Sequence, residues 1–232
     1  MKIKNKKGEL TTKQLVTLIV LIASFIIILF LIFRLNLGQT TDEEICRNSV
    51  VLKGQPQFIS GPLDCKIAYV TISTEKKEEI MKTLADEMAS CWYMFGEGKI
   101  DYGSGGVRGA IDTQVDYAIC SIIEFDDNVG EKIPQVSYQE FYNFLNIEKK
   151  DETQTYLKYL YGIDSLSSLA PQSQIKISLS TDKIFTNQKY SVITGIDNNQ
   201  LPEGNEILKV YIIPTAETIS RLVVDRQFIT KA

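Results

Sequence analysis

The chain has 232 residues, 44% of them hydrophobic, with 25 basic and 29 acidic side chains and a formal charge of −4. It contains no histidine. That excludes Ser–His–Asp and Cys–His nucleophile systems, HExxH metalloproteases and most zinc hydrolases, each of which needs imidazole as base or ligand.

Residues 1–14 carry Lys2, Lys4, Lys6, Lys7 and Lys13 against a single Glu9, and read as a basic cytoplasmic tail. Residues 15–33 hold no charged side chain, and only Thr17 and Ser24 are polar. At ~1.5 Å per residue such a run reaches close to ~30 Å, the thickness of a bilayer core, so the sequence predicts a transmembrane helix over 15–33. A cleaved secretory signal is the competing reading. It is disfavoured by the length of the apolar run and the lack of an A-x-A-like site after it. Lysines are retained inside during insertion, which predicts a single-pass protein of the cell membrane with its N-terminus in the cytoplasm and its C-terminal domain outside. The lipid bilayer is then the first expected partner. The remainder of the chain is clearly acidic, which argues against nucleic acid, because acidic surfaces repel phosphates and release no counterions.

Residues 34–46 read as a stalk, with Gly38 as a break. Residues 47–232 are long enough for one extracytoplasmic α+β domain of antiparallel strands with a few amphipathic helices. The four cysteines, Cys46, Cys65, Cys91 and Cys120, all lie on the outer side, where an even number reads as two disulfides. Buried free thiols are the alternative, and a zinc site is disfavoured by the lack of any CxxC pair. Of three connectivities, proximity in sequence favours Cys46–Cys65 and Cys91–Cys120. The first would close a loop worth about 3 kcal/mol in the chain-entropy account.

SVVL (49–52) and KIAYVTI (66–72) read as strands from their β-branched and aromatic content. After Thr74, the residues Ile80, Leu84, Met88, Cys91, Trp92 and Phe95 recur at helical spacing, with Gly96 and Gly98 ending the helix. YAICSIIEF (117–125) predicts a core strand. Ser137 with Glu140 has the spacing of a capping box, and Asp151 is expected to cap a helix that stops at Gly162. QIKISLS, KYSVITGI, EILKVYIIP and ISRLVVDRQF alternate apolar and polar residues, a run of hairpin-connected strands.

Several stretches invite a chemical reading. GSGGVRG (103–109) is glycine-rich but lacks the phosphate-loop order, and the lysine of FGEGK follows a helix instead of preceding one. Glu124, Asp126 and Asp127 cluster at a strand end, where a solvated turn explains them better than a calcium loop. The tyrosines of YQEFYNF and YLKYLYG suit helix core faces, or an aromatic surface for a partner or glycan. No residue is singled out as catalytic, cofactor-binding or metal-ligating, and a small-molecule ligand is not named by any motif.

Lys7-Gly8-Glu9-Leu10 ahead of the apolar run resembles the processing site of archaeal class III signal peptides, as in type IV pilins and archaellins. The resemblance implies a leader over residues 1–8, with Gly8 its last residue and Glu9 the first mature one, and assembly through the retained hydrophobic helix. The fifth mature position departs from the family, being Lys13 where pilins commonly carry Glu. The Lys-Gly start and Ser90-Cys91-Trp92-Tyr93-Met94-Phe95-Gly96-Glu97-Gly98-Lys99 are similar to a group of uncharacterised single-span membrane proteins of small-genome archaea, a likeness that implies no activity. The expected function is that of a membrane-anchored extracytoplasmic cell-surface protein with a structural or partner-binding role, its partners other envelope proteins or further copies. The alternative is a pilin-like subunit cleaved after Gly8.

Overall fold

The computed structural model describes residues 12–34, 41–55, 63–102, 115–166, 182–197, 206–216 and 227–228. They fall into two compact units, Met1–Thr41 and Asp42–Ala232. In the first, α1 (Thr12–Arg34) is a continuous helix. Ser24 returns its hydroxyl to the Val20 carbonyl at 2.7 Å, the usual fate of a hydroxyl inside an apolar helix. Its large apolar side chains stand open, from Leu15 at 47% to Leu21 at 62% exposure.

The expectation of a transmembrane helix over 15–33 is overturned: among the described residues no helix is long and apolar enough to cross a membrane.

Helix α3 (Lys77–Met94) organises the second unit. The stripe Ile80, Leu84, Met88, Cys91, Trp92 and Phe95 is buried throughout, because residues three and four apart share one helix face. Beneath it lies a sheet ordered β1 (Ala68–Ile72), β2 (Val115–Phe125), β5 (Tyr190–Asp197), β6 (Glu206–Pro214), with β7 (Gln227–Phe228) also on β2. A separate two-stranded sheet joins β3 (Gln135–Ser137) to β4 (Lys183–Phe185).

The fold is α+β, but its main sheet is mixed where antiparallel strands were expected. β1 runs parallel to β2, from Ala68 opposite Ser121 to Ile72 opposite Phe125, and β7 is parallel to β2 as well. Parallel neighbours need a long crossover, and α3 lies in the connection between β1 and β2. The pairs β2–β5 and β5–β6 are antiparallel. At the β6 edge, Tyr161 donates to the Val210 carbonyl at 3.0 Å and Tyr138 to the Ile212 carbonyl at 3.1 Å. These buried hydroxyls, from α6 (Tyr156–Tyr161) and the start of α5 (Tyr138–Ile147), occupy carbonyls that an edge strand otherwise offers to other chains.

SVVL is helical, not a strand. It sits in α2 (Asp42–Lys53), whose first turn carries Asp42, Glu43 and Glu44 and whose last carries Lys53, charges that complement the helix dipole. Cys46 and Val50 form its buried face. The structure pairs Cys46 with Cys65 and Cys91 with Cys120, and no free cysteine is present. Cys120 is the extra residue of a bulge in β2 between Ile119 and Ser121, a device that re-aims a side chain locally.

Candidate functional site

Three polar assemblies on the second unit bear on function. The first surrounds the GEGK turn. Gly96, Glu97 and Gly98 all take positive φ, at 78°, 57° and 71°. A glycine is required at 98, because a Cβ there would sit 2.8 Å from the Trp92 ring. The Glu97 carboxylate accepts from Lys99 at 2.9 Å and from the Tyr159 hydroxyl at 3.1 Å. Burial pulls this carboxyl upward, but the two hydrogen bonds and the nearby Lys99 and Arg47 charges hold it below the usual range. Burial and then the Glu97 charge push the Tyr159 hydroxyl well above its ordinary value. Arg47 of α2 lies 4.0 Å over the Tyr93 ring and donates to the Tyr93 carbonyl. Each of these charges has a partner within the group, so the cluster ties α2, α3 and α6 together and leaves nothing for a ligand.

The second is a depression of about 340 Å³ beside α3, lined by Thr71, Thr74, Glu79, Lys82 and Asp86 among others. Asp86 accepts from Lys82 at 3.0 Å and from the Tyr156 hydroxyl, while Lys82 also reaches Tyr156 at 3.2 Å. The Lys82 ammonium is raised, chiefly by its bond to Asp86, and the Tyr156 hydroxyl is raised by burial. Lysine stays charged and tyrosine neutral, so neither is primed as a base or nucleophile.

The third is a cleft of about 660 Å³ between the end of β2, α4 (Asp127–Lys132) and the β4–β5 turn, within the ~300–1,000 Å³ typical of ligand sites. Phe125 and Phe185, both half-buried, contribute aromatic wall. Phe125 is fixed edge-on against buried Tyr190, with centroids 6.3 Å apart, and the Phe185 amide donates to the Tyr190 hydroxyl at 2.6 Å. Buried Thr186 ties the turn to the end of α4 by donating to the Ile133 carbonyl at 2.7 Å. Glu124 pairs with Lys189 at 2.7 Å and accepts from Thr71, and those bonds hold its carboxyl below the usual range. Asp127, Glu131, Gln135, Asn187 and Gln188 also line the cleft, and among the described residues their side chains have no hydrogen-bond or ion-pair partner.

The four cysteines are buried structural groups. Gly8, Glu9, GSGGVRG and QIKISLS lie outside the described residues, as do most of ISRLVVDRQF and the DNNQLPEGN loop. The acidic cluster divides: Glu124 and Asp127 line the cleft, while Asp126 starts α4 through its carbonyl, which accepts from the Val129 amide at 2.9 Å. Among the described residues no three acidic, cysteine or histidine side chains converge as a metal site. The amides and the two phenylalanines of the cleft carry no sequence motif. The one signal in the sequence was the acidic group at the end of β2.

No family model matches the chain, and neither a curated protein nor a solved structure matches it.

Proposed function

We propose that the second unit is an extracytoplasmic binding domain whose cleft beside α4 meets a partner or ligand. The observation that supports this most is the pair of buried disulfides, since such bonds form and persist in oxidising compartments and are rare in reducing ones. The cleft supports the binding half of the reading, because its unspent amides and carboxylates flank aromatic surface. Catalysis draws no comparable support: at the GEGK turn and beside α3 the displaced groups Glu97, Tyr159, Lys82 and Tyr156 are engaged in internal pairs.

A second reading, assembly of copies through α1 after cleavage behind Gly8, is favoured by one observation, the open apolar side chains of α1. N-terminal sequencing of the native protein separates the two, since assembly of that kind requires a chain beginning at Glu9.

The test of the main reading is labelling of intact cells with a membrane-impermeant, lysine-reactive biotin. Lys66 and Lys76, with side chains 69% and 76% exposed, should be modified without lysis. Modification only after lysis would contradict an extracytoplasmic domain.

A further inference from the structure

We propose that the cleft takes a neutral glycan, an inference that rests on reading this cleft as the binding site. The half-buried rings of Phe125 and Phe185 present apolar surface suited to the C–H face of a sugar ring. Around them stand the amides of Gln135, Asn187 and Gln188. Each amide offers two donors and a carbonyl acceptor, which is what a row of hydroxyls needs, every hydroxyl being donor and acceptor at once.

Charge narrows the class. Among the described residues Lys189 is the only cation of the cleft wall, and it is committed to Glu124 at 2.7 Å, so none of them is left to recruit an acid. Asp127 and Glu131, one helical turn apart on α4, add acceptors for hydroxyls and repel phosphate, sulfate or uronate groups. A lipid tail fits poorly, because it would strip water from amides and carboxylates and return no hydrogen bond. A lysine-bearing peptide would satisfy the two carboxylates and meet the amides through its backbone, but it brings no C–H face to lie on the two phenylalanine rings.

Saturation-transfer NMR on the full chain tests this with maltotetraose, mannotriose, the tetramer of N-acetylglucosamine, tetragalacturonate and trilysine as probes. At least one of the three neutral saccharides should receive saturation, and tetragalacturonate should receive none. Gln135→Ala with Asn187→Ala, both exposed positions, should weaken binding about tenfold, the order expected from two lost hydrogen bonds. Far-UV circular dichroism verifies that this variant is folded. Silence from all three neutral saccharides, equal affinity in the double variant, or preference for tetragalacturonate would overturn the glycan assignment. Trilysine bound alone, and lost in Asp127→Asn with Glu131→Gln, would overturn it while leaving the cleft as the binding site. No cleft-dependent binding by any probe would end both readings.

Discussion

Glu87 of α3 shows how a single side chain sets a pH dependence. Burial pushes its carboxyl upward, Glu43 and Asp86 add to the shift by like-charge repulsion, and Ser121 opposes it. The Ser121 hydroxyl is buried and closes no hydrogen bond of ordinary geometry, so it offsets little of the burial. A carboxyl whose folded affinity for protons exceeds its unfolded one stabilises the fold at low pH. That stability is lost as pH rises from the ordinary glutamate range through the raised value. Glu87→Gln should therefore melt near the parent temperature at pH 4 and above it at pH 7, as thermal denaturation followed by circular dichroism would show. An equal difference at both pH values would mean that the charge is not what matters. The sequence places Glu87 on α3 beside the apolar stripe. It does not show that Glu43 of α2 comes close, which is a tertiary fact.

At the scale of elements, legibility followed the strength of the local signal. The Ser137–Glu140 spacing became a full capping box: Ser137 accepts from the Glu140 amide at 3.1 Å, and the Glu140 carboxylate accepts from the Ser137 amide at 3.1 Å. Ser137→Ala should cost about 1 kcal/mol of unfolding free energy in urea titration, and an unchanged midpoint would contradict the cap. Asp151 misled for an instructive reason. Its carboxylate accepts from the Thr153 and Gln154 amides at 2.8 and 3.1 Å, making a turn ahead of the helix, while Thr155 caps α6 by accepting from Lys158. Aspartate favours both turns and caps, and spacing alone did not separate them. SVVL misled differently, because β-branched residues vote for strand while the acidic first turn and the Cys46–Val50 spacing vote for helix. Burial of that face against the domain decided it.

For the whole molecule, the α+β class was readable from periodicity, whereas the direction of β1 was not. Strand runs carry no label for parallel or antiparallel pairing until the crossover is placed. The cleft was illegible for a related reason: its walls come from 124–135 and 185–189, brought together by tertiary contacts such as the β3–β4 pairing and the register of β5 on β2. The transmembrane expectation is overturned, since among the described residues no helix is long and apolar enough to cross a membrane. The disulfides act at this same scale. Cys46–Cys65 ties α2 to the approach to β1, and Cys91–Cys120 ties α3 to the centre of the sheet, spanning 19 and 29 positions. In the chain-entropy account they are worth about 3 and about 3.5 kcal/mol. Peptide mass spectrometry of the native protein, alkylated before any reductant is added, tests the account most directly. It should yield two linked peptide pairs, Cys46 with Cys65 and Cys91 with Cys120, and no alkylated cysteine. Alkylation of all four without reductant would contradict the stapled extracytoplasmic domain.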